Sequence, residues 1–490
     1  DAAKDAVADL LMRATKEKKA KVSNLQLLRK VKDTLISDQE HGPTPQFNKV
    51  LNKVNESINN AKTRTPPAGR WAYLSTLRSE LSSKIFFRHF KQKHASHDIC
   101  ALHVTPDWER PDEKVPLPAG TVTTNQEIAD ELATYYVWLF RKKESVRPEV
   151  PLATLAHRPI PRRVSDSIEG MIDASEVVQA IRSMAKGKSP GPDTLPAEFY
   201  AEFEDILAGP LLEVMQETLQ LQHLPRPWFR GVIKLVYKKG DPAEVRNYRP
   251  LTMLNVDYKI FTKILTFRLK KITDHFVSKC QLGFVPHRII TEASHLSKLI
   301  QSYLDENHQD GLMVALDWEK AFDSVSWDYM HASFQSAGLG SDVRRWLGVL
   351  YNHDDPPYRV VQANGTRSEP FPLHSGIPQG DPTSPIVFLF VAEALSRMIN
   401  EDQKYKGINV DGLILKVCQF ADDTLLYLSG YAGLKRAWQI IKIFEWATGM
   451  RVNSKKTEAL RCGSLQYKPV PLIESLGTHL IKWHKPGTWI

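Results

Sequence analysis

The stretch "CQFADDTLLYLSG", residues 418–430, carries two adjacent carboxylates, Asp422 and Asp423, between two apolar runs. The run "LILKVCQF" before them and the run "TLLYLSG" after them have the length and the β-prone composition of strands. The sequence therefore predicts a hairpin that carries both aspartates at its tip. Taken alone, the pair is explained by turn chemistry, because Asp tolerates turn geometry and bonds its own backbone.

A second acidic cluster lies upstream, in "LMVALDWEKAFDSVSW" at 312–327. Its apolar run predicts a buried strand that ends at Asp317, and Glu319 and Asp323 follow. If this strand lies beside the hairpin, three carboxylates converge, and buried carboxylates are normally protonated, hydrogen-bonded or bound to metal. Such a trio suits a pair of Mg²⁺ ions, which take oxygen ligands and can drive in-line phosphoryl transfer. Strand-terminal aspartates also occur in many unrelated α/β enzymes.

The third motif is the loop "SGIPQGDPTSP", residues 375–385, which an apolar helix follows directly. Its glycines allow the backbone to approach a ligand closely, and its prolines stiffen it. Gln379 offers both donors and acceptors to a base or a sugar. An ordinary loop before a helix, with Thr383 or Ser384 as the cap, explains the same residues.

A basic segment, "VYKKGDPAEVRNYRPLTMLN" at 236–255, places positive charge around a predicted strand and loop. Its Lys238, Lys239 and Arg249 could hold a triphosphate by charge and by bidentate hydrogen bonds. Lysine pairs of this kind also serve solubility alone.

The bulk composition favours a polyanionic partner. The chain has 490 residues, 42% of them hydrophobic, which is enough for two or three domains with cores of their own. Its formal net charge is +9 and its isoelectric point is near 9.1, which favours nucleic acid before a membrane.

The cysteines and the apolar runs point to an intracellular protein. The four cysteines are scattered without a CxxC pair, so neither a disulfide framework nor a zinc site is expected. The sequence shows no signal-peptide pattern and no apolar run long enough to cross a membrane. We therefore expect a reducing compartment, cytoplasm and nucleus, and no membrane partner.

Two regions differ in composition. Residues 1–165 are rich in Lys, Glu, Ala and Leu at helical spacing, and a proline-rich stretch, "RPEVPLATLAHRPIPRR", marks a plausible boundary. The basic runs of this region are either a solvated helix face or a surface that meets nucleic acid. From about residue 166 onward, predicted helices and strands alternate.

The order of the motifs along the chain resembles the reverse transcriptases of LINE-type (non-LTR) retrotransposons. The colinear set comprises the basic strand and loop, "ALDWEKAFD", "GIPQGDPTSP", "FADD" and "GMRVNSKKTE". It extends to "GKSPGPDTLPAEFY" at 187–200, "NYRPLTMLNVDYKIFTKILTFRL" at 247–269 and "QLGFVPHR" at 281–288. The likeness covers about residues 83–480, and the set as a whole is far more specific than any one motif.

The resemblance implies an α+β right-hand polymerase with fingers and palm, a helical N-terminal extension, and a thumb that is truncated or missing. We expect residues 1–165 to form the helical basic extension or linker and residues 166–460 the fingers and palm. Residues 461–490 would hold the primer-grip region, with "IESLGTHL" as its hairpin, and the start of the truncated thumb.

The resemblance also implies an RNA-directed DNA polymerase, which adds deoxynucleotides to a primer 3′-OH by two-metal phosphoryl transfer. The implied cofactors are two Mg²⁺ ions, with Mn²⁺ as a substitute. The implied partners are an RNA template, a DNA primer and deoxynucleoside triphosphates, while the oligomeric state stays open.

Site residues follow from the resemblance, position by position. Metal ligands would be Asp317, Asp422, Asp423 and the carbonyl of Trp318. Lys456 would protonate the leaving pyrophosphate, with Lys455 as an alternative. Substrate contacts would come from Lys239 and Arg249 on the triphosphate, Gln379 and Gly380 on nucleotide and template, and Phe322 against the sugar, where its ring excludes a ribose 2′-OH.

The chain departs from the family pattern in places. "FADD" has Phe where many relatives have Tyr, Thr383 stands where Leu is commoner, and the sequence carries neither an endonuclease signature before the core nor a Cys-rich tail after it.

Three alternatives stay open: an RNA-dependent RNA polymerase, against which Phe322 argues, a group II intron maturase, and a truncated, inactive remnant that only binds nucleic acid.

Overall fold

The structure is a computed structural model that describes residues 98–104, 120–470 and 481–484. The predicted basic helices before residue 98 and the predicted hairpin "IESLGTHL" lie outside these described residues. The helices are α1 (Asn125–Leu139), α2 (Glu149–His157), α3 (Arg162–Asp166), α4 (Ala174–Arg182), α5 (Ala197–Glu202), α6 (Glu204–Leu221), α7 (Arg226–Phe229), α8 (Val256–Lys270), α9 (Thr273–Phe276), α10 (Ile290–Glu306), α11 (Trp327–Ser336), α12 (Ser341–Leu350), α13 (Ser384–Glu401) and α14 (Tyr431–Thr448).

The strands belong to two larger sheets and two short pairs. They are β1 (Leu102–His103), β2 (Thr121–Val122), β3 (Arg230–Tyr237), β4 (Tyr248–Met253), β5 (Gly311–Leu316), β6 (Tyr358–Ala363), β7 (Thr366–Arg367), β8 (Phe371–Pro372), β9 (Ile408–Val410), β10 (Leu413–Leu415), β11 (Val417–Phe420), β12 (Asp423–Leu428), β13 (Glu458–Cys462) and β14 (Lys482–His484). The fold is therefore mixed helix and sheet, as the sequence predicts.

The first sheet has the order β11-β12-β5-β13-β14 and places β5 at its centre. Both neighbours of β5 run antiparallel to it. Alternate residues of a strand point to opposite faces, and here both faces are covered. Leu312 and Val314 join the main core with α13 and α14, whereas Met313 joins a second cluster with Ile300 and Leu304 of α10. This burial on both faces explains why β5 reads as one continuous apolar run.

The second sheet has the order β4-β3-β6-β7, with β8 paired to β6. Strands β3 and β4 pair antiparallel from Val232↔Met253 to Tyr237↔Tyr248, and β3 runs parallel to β6. The far end of β3 and β4 carries the basic loop of residues 238–247. This sheet therefore presents positive charge at one end.

Helix α13 is the most buried helix beside the first sheet. It packs against β11, α2, α8, α11 and α14, and nearly all of its side chains are buried. Its largely apolar sequence suits this central place, and its buried charges Glu393 and Arg397 pair with each other at 2.8 Å. Even so, within the described ranges no helix is long and apolar enough to cross a membrane.

Local signals in the sequence match several of these elements. The predicted helix "DASEVVQAIRSMAKG" forms α4, where Asp173 and Glu176 make the reciprocal hydrogen bonds of a capping box. Helices α1 and α2, which fall in the predicted extension of residues 1–165, contribute Tyr136 and Leu155 to the main core. The described part of that extension thus packs with the rest of the molecule.

Candidate active site

The pairing of β12 with β5 places the two acidic motifs side by side. The last pair of the ladder is Thr424↔Leu316, so that Asp423 and Asp317 are the next residues on the two strands. Asp422 lies in the two-residue loop that joins the paired Phe420 and Asp423. The predicted hairpin is confirmed, and the structure brings its two aspartates to the end of the strand that carries Asp317.

The three carboxylates act on one another. Burial raises the pKa of Asp422, and the negative charge of Asp317 raises it further, while Arg249 and Lys238 oppose the shift. Burial also raises the pKa of Asp423, followed by the charges of Asp422 and Asp317. Like charges in a desolvated place disfavour ionisation, and a cation placed among them would reverse that effect.

The backbone beside Asp317 is fixed by a second segment of chain, residues 451–457. The Asn453 amide donates to the Asp317 carbonyl at 2.7 Å, and the Glu319 amide donates to the Arg451 carbonyl at 2.8 Å. These two bonds flank the antiparallel bridge Trp318↔Val452. Trp318 and Val452 thus form a non-hydrogen-bonded pair, in which the N–H and C=O groups of each residue point away from the partner segment. The Trp318 carbonyl therefore faces the other edge of the strand, where the hairpin with Asp422 lies.

Basic residues of the second sheet stand close to this acidic group. Arg249 is exposed on β4, opposite Val236 of β3, and Lys238 is exposed just after β3. Lys238 lowers the pKa of Asp423 as well as that of Asp422, so its charge is close to both carboxylates. Lys239 is the next residue on the same exposed loop.

Two further lysines lie on the side of Asp317. The Lys320 ammonium donates to the carbonyl of Tyr248 at 2.6 Å. Burial lowers the pKa of Lys320, and Asp323 opposes that shift, whereas the charges of Lys456, Lys238 and Arg249 add to it. The charge of Lys456 thus acts on Lys320, and the exposed Lys456 side chain belongs to the segment that is hydrogen-bonded to Asp317.

The loop with Gln379 and Gly380 is bonded to β4. The Gln379 carbonyl accepts from the Thr252 amide at 2.7 Å, and its Nε2 donates to both carboxylate oxygens of Asp323 at 3.3 Å. Gly380 has φ +123°, and a Cβ on it would stand 2.5 Å from the Thr252 carbonyl oxygen. A side chain at Gly380 would thus push the loop away from the strand that carries Arg249.

Phe322 is half-buried in an aromatic stack. Its ring stacks on Phe388 of α13 with centroids 4.4 Å apart, and it meets Phe284 edge-on at 6.4 Å. Its carbonyl accepts from the Ile377 amide at 2.7 Å. One face of the ring is therefore packed on the core, while part of the side chain stays exposed.

Residues 236–482 match the family described as Reverse transcriptase (RNA-dependent DNA polymerase). The chain belongs to the reverse transcriptase family. The matched segment begins in β3 and ends in β14, so it contains the basic loop, the two acidic motifs and the loop with Gln379. The resemblance to non-LTR elements inferred from the motifs is confirmed by the named relatives.

Several curated relatives come from transposable elements. The chain is 29% identical over 364 residues to the transposon TX1 uncharacterized 149 kDa protein of Xenopus laevis, which covers 72% of this chain and 27% of that protein. It is 26% identical to the probable RNA-directed DNA polymerase from transposon BS of Drosophila melanogaster, over 62% of this chain and 34% of that protein. It is 25% identical to a Pol polyprotein from an R2 retrotransposable element of Popillia japonica, over 49% of this chain and 33% of that protein. The chain thus spans about a quarter to a third of the length of these relatives.

The donor chemistry of the site fits the divalent cations that reverse transcriptases normally use. Carboxylate and backbone carbonyl oxygens are the ligands that Mg²⁺ prefers. In the arrangement described for residues 98–104, 120–470 and 481–484, no three His, Cys, Asp or Glu side chains stand close enough to hold an ion.

Sequence reasoning named Asp323 in the acidic cluster but gave it no role, and it gave none to Lys320 or Gln281. Burial raises the pKa of Asp323 to about 6, with Lys320 and the Gln379 hydrogen bonds opposing the shift. Asp323 and Lys320 stand in the motif "ALDWEKAFD", so their proximity to Asp317 in sequence was a usable signal. Gln281 contacts the hairpin tip from a distant motif, and no spacing rule predicted that contact.

Proposed function

We propose that this chain is an RNA-directed DNA polymerase of a non-LTR retrotransposon, which extends a DNA primer along an RNA template with deoxynucleoside triphosphates. The observation that carries the proposal is the register of β12 on β5, which sets Asp422 and Asp423 beside Asp317 at the end of two buried strands. This end of the sheet faces the positive charge of Arg249 and Lys238. Carboxylates opposite cations are what a triphosphate and its metal ions require.

The two sheets supply the parts of a right hand. The sheet of β11, β12, β5, β13 and β14 is the palm, and the sheet of β3 and β4 with its basic loop belongs to the fingers. In this assignment the palm holds the acidic residues, and the fingers bring Arg249, Lys238 and Lys239 to the triphosphate. Residues 1–165 would form a helical, basic extension that precedes the fingers.

The metal ligands proposed are Asp317, Asp422, Asp423 and the Trp318 carbonyl. Two bound divalent cations would supply Lewis-acid activation of the primer hydroxyl and stabilise the leaving oxygen. The chain itself orients the ligands: the hairpin fixes Asp422 and Asp423, and hydrogen bonds with Asn453 and Thr457 fix the backbone at Asp317.

The remaining residues orient the nucleotide. Gln379, held on Asp323 and on β4, would present the loop backbone and Gly380 to the nucleotide and template. Phe322 would stack below the sugar, and Lys456 would donate a proton to the leaving pyrophosphate.

The experiment that tests the function is extension of oligo(dT) on poly(rA) by the purified chain with Mg²⁺ and dTTP. Extension by the chain, lost in Asp317→Asn, supports the proposal. Binding of poly(rA)/oligo(dT) without any extension would instead identify the chain as a remnant that only binds nucleic acid. Comparing dTTP with UTP separates a DNA polymerase from an RNA polymerase on the same template.

A further inference from the structure

The hairpin tip that carries Asp422 has an unfavourable backbone conformation. Ala421, the first residue of the two-residue loop, has φ +59°, in the left-handed region that residues other than glycine rarely adopt. Such a conformation persists only where neighbouring groups fix it. The residue before a predicted metal ligand therefore depends on contacts from elsewhere in the chain.

Gln281 supplies these contacts. Its Oε1 accepts from the Ala421 amide at 2.9 Å, and its Nε2 donates to the Ala421 carbonyl at 3.2 Å. One carboxamide thus satisfies both backbone groups of the strained residue. Gln281 is itself only 1% exposed, so water cannot replace it without rearrangement.

The segment of Gln281 is docked along the hairpin. The Leu282 amide donates to the Gln419 carbonyl, and the Gln419 amide donates to the Cys280 carbonyl, each at 2.7 Å. These bonds make a parallel bridge between Gln281 and Gln419. Arg288 holds the other side of the segment, because its Nη1 donates to the carbonyls of Ser278 and Gln281 at 2.6 Å. The carboxamide of Gln281 is therefore held rigidly in place.

Gly283 makes this approach possible. Its amide donates to the same Oε1 of Gln281 at 2.9 Å, and a Cβ on Gly283 would stand 2.2 Å from the Ala421 nitrogen. Because the conflicting atom belongs to the backbone, no side-chain rotation can relieve the clash. Gly283 is thus required by the contact itself.

We propose that Gln281 is a positioning residue for nucleotide addition, whose carboxamide holds the Ala421 backbone and thereby sets the place of the Asp422 carboxylate, with Gly283 as the residue that lets it approach. The inference rests on the proposed polymerase function. It assigns a role at the site to the motif "QLGF", which lies 140 residues from the hairpin tip in the sequence. A purely structural glutamine would instead affect stability alone.

The test compares Gln281→Met with the wild-type chain. Methionine retains most of the side-chain volume and removes both hydrogen bonds to Ala421. The matched control is Gln216→Met on α6, where Nε2 donates to the Ile172 carbonyl at 3.3 Å. Three quantities are measured on folded protein: Mn²⁺ binding by electron paramagnetic resonance, single-turnover nucleotide addition, and amide hydrogen exchange of residues 418–424.

The expected result is weaker Mn²⁺ binding and slower addition in Gln281→Met, each by about 10- to 100-fold, as found when groups that orient metal ligands are removed. The dissociation constant of the deoxynucleotide should stay near the wild-type value, and exchange at the hairpin tip should rise. Gln216→Met should show none of these changes. Unchanged Mn²⁺ binding and addition rate in Gln281→Met would overturn the positioning role.

A second variant, Gly283→Ala, tests the approach of the two segments independently. Its control is Gly209→Ala, where a Cβ meets nothing within 4 Å. Gly283→Ala should reproduce the changes of Gln281→Met, whereas wild-type behaviour in this variant would contradict the inference. A wild-type chain that neither binds Mn²⁺ nor extends a primer would overturn the proposed function. If the wild type is active and Gln281→Met is equally active, the positioning role alone fails and the proposed function stands.

Discussion

The amide of Asn453 donates a hydrogen bond to the carbonyl of Asp317 at 2.7 Å, which joins the segment "NSKKTE" to the strand with the first predicted metal ligand. The same segment returns to that strand through Thr457, whose Oγ1 accepts from the Asp317 amide at 3.4 Å. Lys455 and Lys456 lie between these two contacts. Hydrogen bonds to Asp317 on both sides therefore anchor the short segment of backbone that carries these two lysines.

This arrangement predicts different effects for the two neighbouring lysines. Lys456→Ala should slow single-turnover nucleotide addition by about 100-fold, because a positioned general acid contributes about 10²–10⁴ to such a step. Lys455→Ala, a matched exposed lysine, should have a much smaller effect. The measurement is the addition rate at saturating deoxynucleotide. A large loss in Lys455→Ala with little loss in Lys456→Ala would reassign the proton donor.

The predicted metal ligands should be indispensable for chemistry but not for folding. Asp317→Asn and Asp422→Asn each remove one ligand charge, and the loss of transition-state stabilisation should reach about 3–4 kcal/mol or more. Extension of a primer should therefore fall at least about 100-fold, while the thermal unfolding midpoint changes little. Asp354→Asn, at an exposed position outside the site, is the control. Near-normal extension by either variant would mean that another carboxylate holds the metal.

Much of the fold follows from local patterns. The apolar runs around Asp317 and Asp422 predict buried strands, because hydrophobic periodicity alone indicates them. Asp173, as a helix N-cap residue, predicts the start of α4 from capping chemistry alone. The adjacency of the two acidic strands did not follow from local pattern, because it depends on pairing between residues far apart in sequence. Order and spacing of motifs provided that information through the family resemblance.

Other features of the site had no local signal. The contact of Gln281 with Ala421 joins two loops across 140 residues, and hydrophobic periodicity carries no information about such a polar contact. The burial of Asp323 is also a tertiary effect, since its motif gives no reason to separate it from the exposed Glu319. The assignments of metal ligands and substrate contacts remain predictions that the variants at Asp317, Asp422, Lys456 and Phe322 test, and the domain boundaries remain predictions as well.

The buried Asp323 predicts a pH-dependent stability. Its pKa in the folded chain is about 6 against an ordinary 3.8, so the folded state binds more protons between these values. The cost of ionising this carboxyl is fully present above about pH 6 and is relieved as the pH falls toward 3.8. Asp323→Asn removes the ionisation and should raise the free energy of unfolding by up to about 3 kcal/mol at neutral pH.

The advantage of Asp323→Asn over the wild type should shrink as the pH is lowered from 7.5 to about 4, where the wild-type carboxyl is neutral. Denaturant unfolding in the presence of EDTA measures both chains without metal. Asp354→Asn serves again as the exposed control and should show no such trend. A constant difference between Asp323→Asn and wild type across this range would contradict the proposed burial cost.

Nucleic-acid binding should depend strongly on salt and weakly on sequence. The net charge of +9 and the exposed Lys238, Lys239 and Arg249 favour contacts with phosphates, which release counterions on binding. The logarithm of the affinity for an RNA–DNA primer-template should therefore fall linearly with the logarithm of salt between about 50 and 200 mM. Duplexes of different sequence should give the same slope. An affinity that does not change with salt would argue against phosphate contacts as the main source of binding.

Phe322 should set the choice of sugar. Its ring stacks on Phe388 with centroids 4.4 Å apart and meets Phe284 edge-to-face at 6.4 Å, and the stacking on the core resists its displacement by an additional hydroxyl group. Phe322→Val should open that space and raise the efficiency of ribonucleotide use relative to deoxynucleotide use, with a smaller loss in deoxynucleotide efficiency from weaker sugar stacking. The measurement is kcat/KM for dTTP and UTP on one template, because discrimination is the ratio of the two efficiencies. The control is Phe334→Leu, at a fully buried aromatic that meets Phe390 edge-to-face in the core: it should lower stability and reduce both efficiencies together. If Phe322 serves only as a core aromatic, Phe322→Val will behave like Phe334→Leu, and an unchanged ratio in folded protein will remove Phe322 from the substrate site.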